Sequence, residues 1–146
     1  MSKSSDRYDV IVIGGGPAGV TAALRARELG ASVALIERGR LGGTCTNDGC
    51  VPTRVLAHTA RLIRDTGQHE YYGLIGNRPS LNFGLLMART QDIVYAIHEK
   101  KQIFKHLESS GVKVHEGIGP ARFVDAYTIE LGDSTERLNA ECFIIC

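Results

Sequence analysis

The feature that most constrains the fold is a glycine-rich turn between an apolar segment and a segment that can form a helix. Residues 8–13 are mostly apolar and β-branched, and Gly14, Gly16 and Gly19 follow with the spacing of a dinucleotide-binding fingerprint. In such a turn the first glycine permits the tight bend, the second lets the backbone approach a pyrophosphate, and the third lets helix and strand pack closely. Because residues 20–29 suit a helix, the pattern predicts a strand–turn–helix unit.

An acidic residue marks the end of the next predicted strand. Residues 32–36 are mostly apolar and lead into Glu37, which completes a βαβ unit with the first strand and helix. A carboxylate at this place accepts hydrogen bonds from a ribose and prefers a free 2′-hydroxyl to a 2′-phosphate. The unit is therefore predicted to bind FAD or NAD rather than NADP. The alternative is that Glu37 is a solvated side chain at a strand end.

Two cysteines lie close together in the glycine-rich loop of residues 42–52. In one continuous helix, the axial rise between Cys45 and Cys50 would be roughly 7.5 Å, beyond the limit of ~7 Å for a disulfide. The backbone must therefore bend between them, most easily at residues 47–49, which are Asn, Asp and Gly. A helix is predicted for residues 53–64, so Cys50 lies at its N-terminus, where the helix dipole is expected to lower the pKa of the thiol.

The pair has three interpretations: a structural bridge, a redox-active dithiol, or two free cysteines that only pack. A disulfide closing so short a loop would contribute roughly 2 kcal/mol in the chain-entropy model, against about 4.7 for a loop of a hundred residues. Stability is thus a weak reason for the pair. A thiol at a helix N-terminus is a good nucleophile and leaving group, so the pattern favours a redox role for Cys45 and Cys50.

These motifs occur in the same order in one known family. The fingerprint turn, the acidic strand end and a Gly-Gly-x-Cys-x-x-x-x-Cys-x-Pro segment at residues 42–52 resemble the flavin-dependent disulfide reductases, which include dihydrolipoyl dehydrogenase, mercuric reductase and glutathione reductase. The resemblance covers the whole chain. It implies that FAD is bound and that its ADP half is held by Gly14, Gly16, Gly19 and Glu37. It also implies that Gly43 and Thr44 lie near the pyrophosphate and the flavin.

The resemblance assigns separate roles to the two cysteines. Cys45 would be the interchange thiol that attacks the substrate, and Cys50 the thiol nearer the flavin, in charge-transfer contact with it. One residue departs from the family pattern, because Arg54 follows Pro52 by two positions, where the family usually has a Lys close to the flavin's reactive nitrogen. Arginine keeps the charge but not the shape of lysine, and it does not deprotonate. Arg54 is therefore expected to alter the tuning of the flavin.

A later segment resembles a second part of the same cofactor site. Residues 117–123 are similar to the family's short strand whose backbone touches the adenine side of FAD, with Ala121 as the contact. The alternative is an ordinary turn and strand, since Gly-Pro is a common turn signal.

The family resemblance also implies an activity and a set of partners. Hydride would pass between NAD(P)H and the flavin, and electrons between the flavin and the Cys45–Cys50 disulfide, which would exchange with a small-molecule disulfide, dithiol or mercuric substrate. Dihydrolipoyl dehydrogenase and mercuric reductase are the members it most resembles. The complete protein would be a homodimer. The alternative is a flavin-binding thiol redox sensor without turnover.

The fold is predicted to be α/β: a Rossmann-like βαβ FAD-binding fold with a parallel sheet, a long helix and a small β-meander. A helix is predicted for residues 83–110, with Ile93, Ile97, Phe104 and Leu107 on one face and Gly111 as its C-cap. Three short strands are predicted at residues 112–115, 121–124 and 127–131, and their succession suggests the meander.

The end of the chain carries an apolar segment, residues 142–146, of the kind that lies in a parallel sheet. Because it ends without a turn, the domain is expected to be incomplete. A polar tail is expected at residues 1–7 and the N-terminal part of the FAD-binding domain at residues 8–146, with the NAD(P) and dimerisation domains absent. The segment by itself would then be inactive.

Composition and spacing exclude several other classes of function. The formal net charge is +1, with 17 basic and 16 acidic residues scattered along the chain, so no nucleic-acid partner is expected. No apolar run has the length of a signal peptide or membrane span, and a cytoplasmic location is expected. Cys142 and Cys146 lack the spacing of a zinc site and are predicted to pack in the core. The histidines show no metal-binding spacing, and no metal is expected.

Overall fold

The computed structural model describes residues 7–132 and 136–146. Residues 1–6 of the predicted polar tail lie outside the described residues, and Arg7 is already the first residue of a strand. The described residues form two compact units. The first, here called the sheet unit, comprises the residues up to Gly43 and from Gln102 onward. The second, the helical unit, is Thr44–Lys101.

The elements follow one another along the chain as a βαβ unit, a run of helices and four strands. In chain order they are β1 (Arg7–Ile13), α1 (Pro17–Glu28), β2 (Val33–Glu37), α2 (Gly43–Asn47), α3 (Cys50–Thr66), a 3₁₀ turn (Glu70–Tyr72), α4 (Phe83–Lys101), α5 (Ile103–Ser109), β3 (Lys113–Glu116), β4 (Ala121–Phe123), β5 (Thr128–Leu131) and β6 (Arg137–Ile145). The predicted βαβ unit and the predicted helix after the cysteines are both confirmed.

The six strands form one sheet in the order β3-β2-β1-β6-β5-β4. β1 lies inside the sheet, where Val10 pairs in parallel with Val33 of β2 on one side and with Cys142 of β6 on the other. Parallel strands must be joined by a crossover, and α1 provides it between β1 and β2. The sheet is therefore mixed, with a parallel part and an antiparallel part, and the predicted α/β Rossmann-like fold is confirmed.

The predicted meander is correct in kind but wrong in one member. β4, β5 and β6 are consecutive antiparallel neighbours, whereas β3 lies at the opposite edge and pairs in parallel with β2. The reason is that helices connect β2 to β3, so the chain returns to the same end of the sheet and β3 runs parallel to β2. A four-residue strand gives no sequence signal for which partner it will choose.

The long helix predicted for residues 83–110 is two helices. Gln102 adopts a left-handed backbone conformation with φ of 46°, which is costly for a residue other than glycine and separates α4 from α5. The predicted apolar face is therefore interrupted: Leu107 is buried and Phe104 is exposed, while the residues that α4 buries are Thr90 and Val94. Gly111 has a φ of 81° beyond the end of α5, as expected of a glycine that closes a helix.

The core of the sheet unit lies on both faces of the sheet. Adjacent residues of β1 point to opposite faces, because side chains alternate along a strand: Ile11 belongs to one buried cluster and Val12 to the other. The Val12 cluster includes Ala23 of α1 and Leu107 of α5, so these helices cover that face. The opposite cluster is formed largely by strand residues.

The prediction that Cys142 and Cys146 pack in the core is wrong, because both are exposed. The buried residues of β6 are Leu138 and Ala140, in the first half of the strand, where β5 pairs alongside. The second half of β6 pairs with β1 alone, and its side chains are left exposed or half-buried.

In the helical unit, α3 and α4 pack against each other. α3 has no fully buried residue and exposes Leu62 and Ile63. None of the helices in the described part of the chain combines the length and apolar character that a membrane crossing requires.

The contact between α1 and β1 predicts a sharp difference between two fingerprint glycines. A β-carbon at Gly19 would overlap the carbonyl oxygen of Gly14, whereas one at Gly16 would meet nothing closer than the Cα of Gly43, at 3.7 Å. We expect Gly19→Ala to lower the free energy of unfolding by about 3 kcal/mol. We expect Gly16→Ala to change it by less than about 1 kcal/mol. Urea unfolding followed by circular dichroism measures both, and equal losses would contradict this account.

Candidate functional site

The fingerprint turn joins β1 to α1, and a backbone hydrogen bond connects it to β2. Gly14 has a φ of 110°, which favours glycine, and its N–H donates to the carbonyl of Ile36 at 2.8 Å. Gly16 is the N-cap of α1, Pro17 follows in the first turn, and no side chain caps the helix. The amides at this helix end are thus oriented as an anion site would need.

A second glycine segment packs on this turn. The N–H of Gly42 donates to the carbonyl of Gly15 at 2.9 Å. Gly43 has a φ of 73°, and a β-carbon there would lie 2.9 Å from the Cα of Gly16. Gly43 is therefore required for two backbones to approach each other.

Gly16 differs, because its φ of −75° suits any residue and a β-carbon there would make only ordinary contacts. Packing within the sheet unit does not explain this glycine. Space left beside a backbone at a helix N-terminus fits the predicted approach of a pyrophosphate.

Glu37 is fixed by the backbone of the same turn. One carboxylate oxygen accepts from the N–H of Gly15 at 2.7 Å, and the other accepts from the N–H of Gly39 at 2.8 Å. A β-carbon at Gly15 would lie 3.1 Å from Glu37 and 2.5 Å from Leu41, so a side chain at this position would displace one or both of them. Each carboxylate oxygen has a second lone pair, which a ribose hydroxyl could use.

A second carboxylate, which the sequence motifs did not predict, has a related role. Glu116 ends β3 directly opposite Glu37 of β2, and its side chain accepts from the N–H of Leu41 at 2.8 Å. Glu116 thereby anchors the loop that carries Gly42 and Gly43. Its position at the end of a strand was visible in the sequence, but its partner depends on the pairing of β3 with β2.

The segment around Ala121 lies beside Glu37. The N–H of Gly117 donates to the carbonyl of Glu37 at 3.0 Å, and the N–H of Gly119 donates to that of Arg38 at 3.1 Å. Ala121 is the first residue of β4, pairs with Leu131 and is half-buried against the core. The loop that leads into the predicted adenine-side strand thus contacts the backbone at the predicted ribose ligand, whereas Ala121 itself lies in β4, at the edge of the sheet opposite β3.

The two cysteines lie on two helices rather than in a loop. Cys45 is in α2, a single short helix, and Cys50 is the first residue of α3. The predicted bend occurs at Asp48 and Gly49, whose N–H groups both donate to the carbonyl of Thr44, at 2.9 and 2.6 Å. A β-carbon at Gly49 would lie 3.0 Å from that oxygen, so lack of space, and not a positive φ, favours glycine here.

Both thiols are free and exposed, and the electrostatics of Cys50 differ from expectation. Its pKa lies above the ordinary value, first because of a side-chain hydrogen bond with Cys45, and then because of desolvation and the charge on Cys45. A hydrogen bond to its own backbone and the positive charge of Arg54 act in the opposite direction. The predicted lowering of the Cys50 pKa is therefore wrong, because the effects of Cys45 and of desolvation outweigh those of the backbone hydrogen bond and Arg54.

Two side chains from the last turn of α4 contact the residues between the cysteines. Nε2 of His98 lies 2.7 Å from Oδ1 of Asn47, and Nζ of Lys101 lies 3.4 Å from Oγ1 of Thr46, which is buried. All of these residues belong to the helical unit. No sequence pattern relates His98 to the cysteines, so its place beside them was not predicted.

Arg54 and Thr44 are both exposed within the helical unit. Among the described residues, no group of three or more His, Cys, Asp or Glu side chains is arranged to hold a metal ion.

Comparison with known proteins decides the family. The family described as pyridine nucleotide-disulphide oxidoreductase matches residues 8–146. The chain belongs to this family. The resemblance seen in the sequence is thereby confirmed, as is the expectation of a relationship to oxidoreductases of this type.

Individual relatives agree with the family assignment. The dihydrolipoyl dehydrogenase of Zymomonas mobilis is 33% identical over 134 residues, 92% of this chain and 28% of the relative. The mercuric reductase of Lysinibacillus sphaericus is 32% identical over 144 residues, 97% of this chain and 25% of the relative. The Cu(II) complex of the HOCl-induced flavoprotein disulfide reductase RclA from Escherichia coli matches with a TM-score of 0.67 and 26% identity, over 93% of this chain and 27% of that one. The chain spans about a quarter of the length of these relatives.

The contacts of Cys50 predict opposite effects of two substitutions. Cys45→Ala removes the largest cause of the raised Cys50 pKa, so the pH midpoint for alkylation of Cys50 by iodoacetamide should move to lower pH. Arg54→Gln removes a positive charge that lowers this pKa, so the midpoint should move to higher pH. Mass spectrometry of the Cys50 peptide measures both, and shifts of the same sign would contradict the assignment.

Proposed function

We propose that this chain forms the FAD-binding and dithiol part of a flavin-dependent, NAD(P)H-linked disulfide reductase. Residues 8–146 would be the N-terminal part of its FAD-binding domain, behind a short polar tail. The observation that carries the proposal is the space beside Gly16, at the N-terminus of α1. Close contacts or a positive φ account for the other glycines around this turn, but not for Gly16. The family assignment and the flavoprotein relative support it.

The residues of the sheet unit have definite tasks in this proposal. The backbone at Gly14, Gly16 and Gly19 would hold the pyrophosphate, and Glu37, fixed by the N–H of Gly15, would accept hydrogen bonds from the ribose. The backbone at Ala121 would meet the adenine side. Gly43 and Thr44 would lie toward the pyrophosphate and flavin, as the family resemblance implies.

FAD, when bound, would supply the chemistry that passes electrons between the nicotinamide of NAD(P)H and a thiol pair. Cys45 would attack the substrate, and Cys50 would be the thiol nearer the flavin. This division follows the family resemblance, and the raised pKa of Cys50 means that a charge-transfer thiolate at this position would need a positive charge nearby. Arg54 would stabilise a thiolate at Cys50, since its charge acts against the rise in pKa.

The proposed substrate is a small disulfide or dithiol, with mercuric ion as the second candidate. The relatives named dihydrolipoyl dehydrogenase and mercuric reductase support these two classes. The expected homodimer, the cytoplasmic location and the absence of a nucleic-acid partner belong to the same proposal.

One residue favours a different function. Arg54 stands where the family usually has a Lys, and an arginine cannot deprotonate. A flavin-binding thiol sensor without turnover would tolerate this change. Sensor and enzyme would share the cofactor site and the dithiol and would differ only in catalysis.

The cofactor site predicts how Gly16 affects FAD binding. We expect the chain by itself to bind FAD weakly and to lose it during purification. Gly16→Ala places a methyl group in the space assigned to the pyrophosphate, so the Kd for FAD should rise by about tenfold while the fold is kept. Quenching of flavin fluorescence measures the Kd. Unchanged affinity in Gly16→Ala, or stoichiometric flavin after purification, would contradict this prediction.

Turnover separates the enzyme from the sensor. Steady-state assays of the intact, flavin-loaded protein that contains this segment, with NADH or NADPH and a disulfide substrate, should show reduction, and Cys45→Ser and Cys50→Ser should each abolish it without loss of FAD. If the unsubstituted protein shows no turnover with FAD bound, the enzyme function is excluded and the sensor function remains.

A further inference from the structure

The short turn between the two cysteines is fixed by side chains from a distant part of the helical unit. α2 has five residues, too few for a helix to be stable by itself. It ends at the bend of Asp48 and Gly49, so its orientation depends on contacts made by its side chains. Two of these contacts come from the last turn of α4, to Asn47 and Thr46.

The stronger of the two contacts is the one to Asn47. The 2.7 Å separation of His98 Nε2 and Asn47 Oδ1 is that of a good hydrogen bond, in which the imidazole N–H donates to the amide oxygen. The 3.4 Å contact of Lys101 with Thr46 is at the weak limit. Of these two contacts, that of His98 therefore contributes more to fixing the turn.

We propose that His98 is a positioning residue that favours disulfide formation between Cys45 and Cys50 by holding Asn47. This inference rests on the proposed redox role of the pair. Disulfide geometry requires the two residues to be close and correctly oriented. The side chain of Cys45 is the largest cause of the raised pKa of Cys50, so the two thiols are neighbours, and a turn fixed in this arrangement loses little conformational freedom when the sulfurs join.

The reaction that reports this effect is exchange with glutathione. One molecule of oxidised glutathione accepts two electrons and two protons from the two thiols. The S–S bond of glutathione breaks, the bond between Cys45 and Cys50 forms, and two molecules of reduced glutathione leave. The equilibrium constant, Kox, compares the disulfide with the dithiol. Neither FAD nor nicotinamide takes part.

The experiment compares three substitutions in a background that carries Cys142→Ser and Cys146→Ser. In this background Cys45 and Cys50 are the remaining cysteines, so the measured oxidation is theirs. Both of those cysteines are exposed. His98→Gln can place an amide N–H near the position of Nε2, whereas His98→Asn is too short. Lys100→Ala removes an exposed cation from the same turn of α4 and serves as the matched control.

We expect His98→Asn to lower Kox by about three- to tenfold, which is about 15 to 30 mV for a two-electron couple. His98→Gln and Lys100→Ala should remain within about twofold of the background. Kox is measured in glutathione buffers by alkylation and mass spectrometry. An unchanged or increased Kox in His98→Asn would overturn the proposal, as would an equal loss in His98→Gln.

A further variant tests whether the loss of Kox comes from this one interaction or from misfolding. Asn47→Leu removes the acceptor from the other side of the bond, and the double variant with His98→Asn should lose no more than either single variant, because both remove one interaction. Additive losses would overturn the proposal. If no variant forms the disulfide, the proposed redox function fails as well. If the disulfide forms with equal Kox in all variants, only the role of His98 fails.

Discussion

Direct contact between backbones, with no side chain between them, is the constraint on which the sheet unit depends. α1 reaches β1 closely enough that Gly19 lies against the carbonyl of Gly14, and the following loop reaches the turn closely enough that Gly43 lies against Gly16. These approaches fix where α1 begins and where the loop after β2 runs. Once they are made, the side chains of α1 cover one face of the sheet, and the amides at its N-terminus lie at the carboxyl end of β1.

Acidic side chains maintain this arrangement. Glu37 and Glu116 lie opposite each other at the ends of β2 and β3, and each accepts a backbone N–H from the turn or from the loop that packs on it. The carboxylate assigned to the ribose is thus also part of the scaffold. A residue fixed in this way keeps its orientation before a ligand arrives, which lowers the entropic cost of binding.

The reactivity of the dithiol depends on side chains close to it rather than on contacts between backbones. A cysteine at a helix N-terminus is expected to be acidic, yet the hydrogen bond with Cys45 raises the pKa of Cys50. Sequence spacing identified both residues and the bend between them. Sequence spacing could not predict the direction of the Cys50 pKa shift, since the effect of Cys45 depends on the distance between the two sulfurs. His98 was missed for the same reason, because it reaches Asn47 only after α4 has packed.

By itself the sequence determined the βαβ unit, the fingerprint turn, Glu37, the cysteine pair and the family, because each is encoded by residues that are neighbours or regularly spaced along the chain. Tertiary structure alone decided the edge at which β3 pairs, the break at Gln102 and the partners of Glu116 and His98. These features depend on contacts between residues far apart in sequence. Local propensity does not specify such contacts, which form only when the packed chain brings the groups within hydrogen-bonding distance.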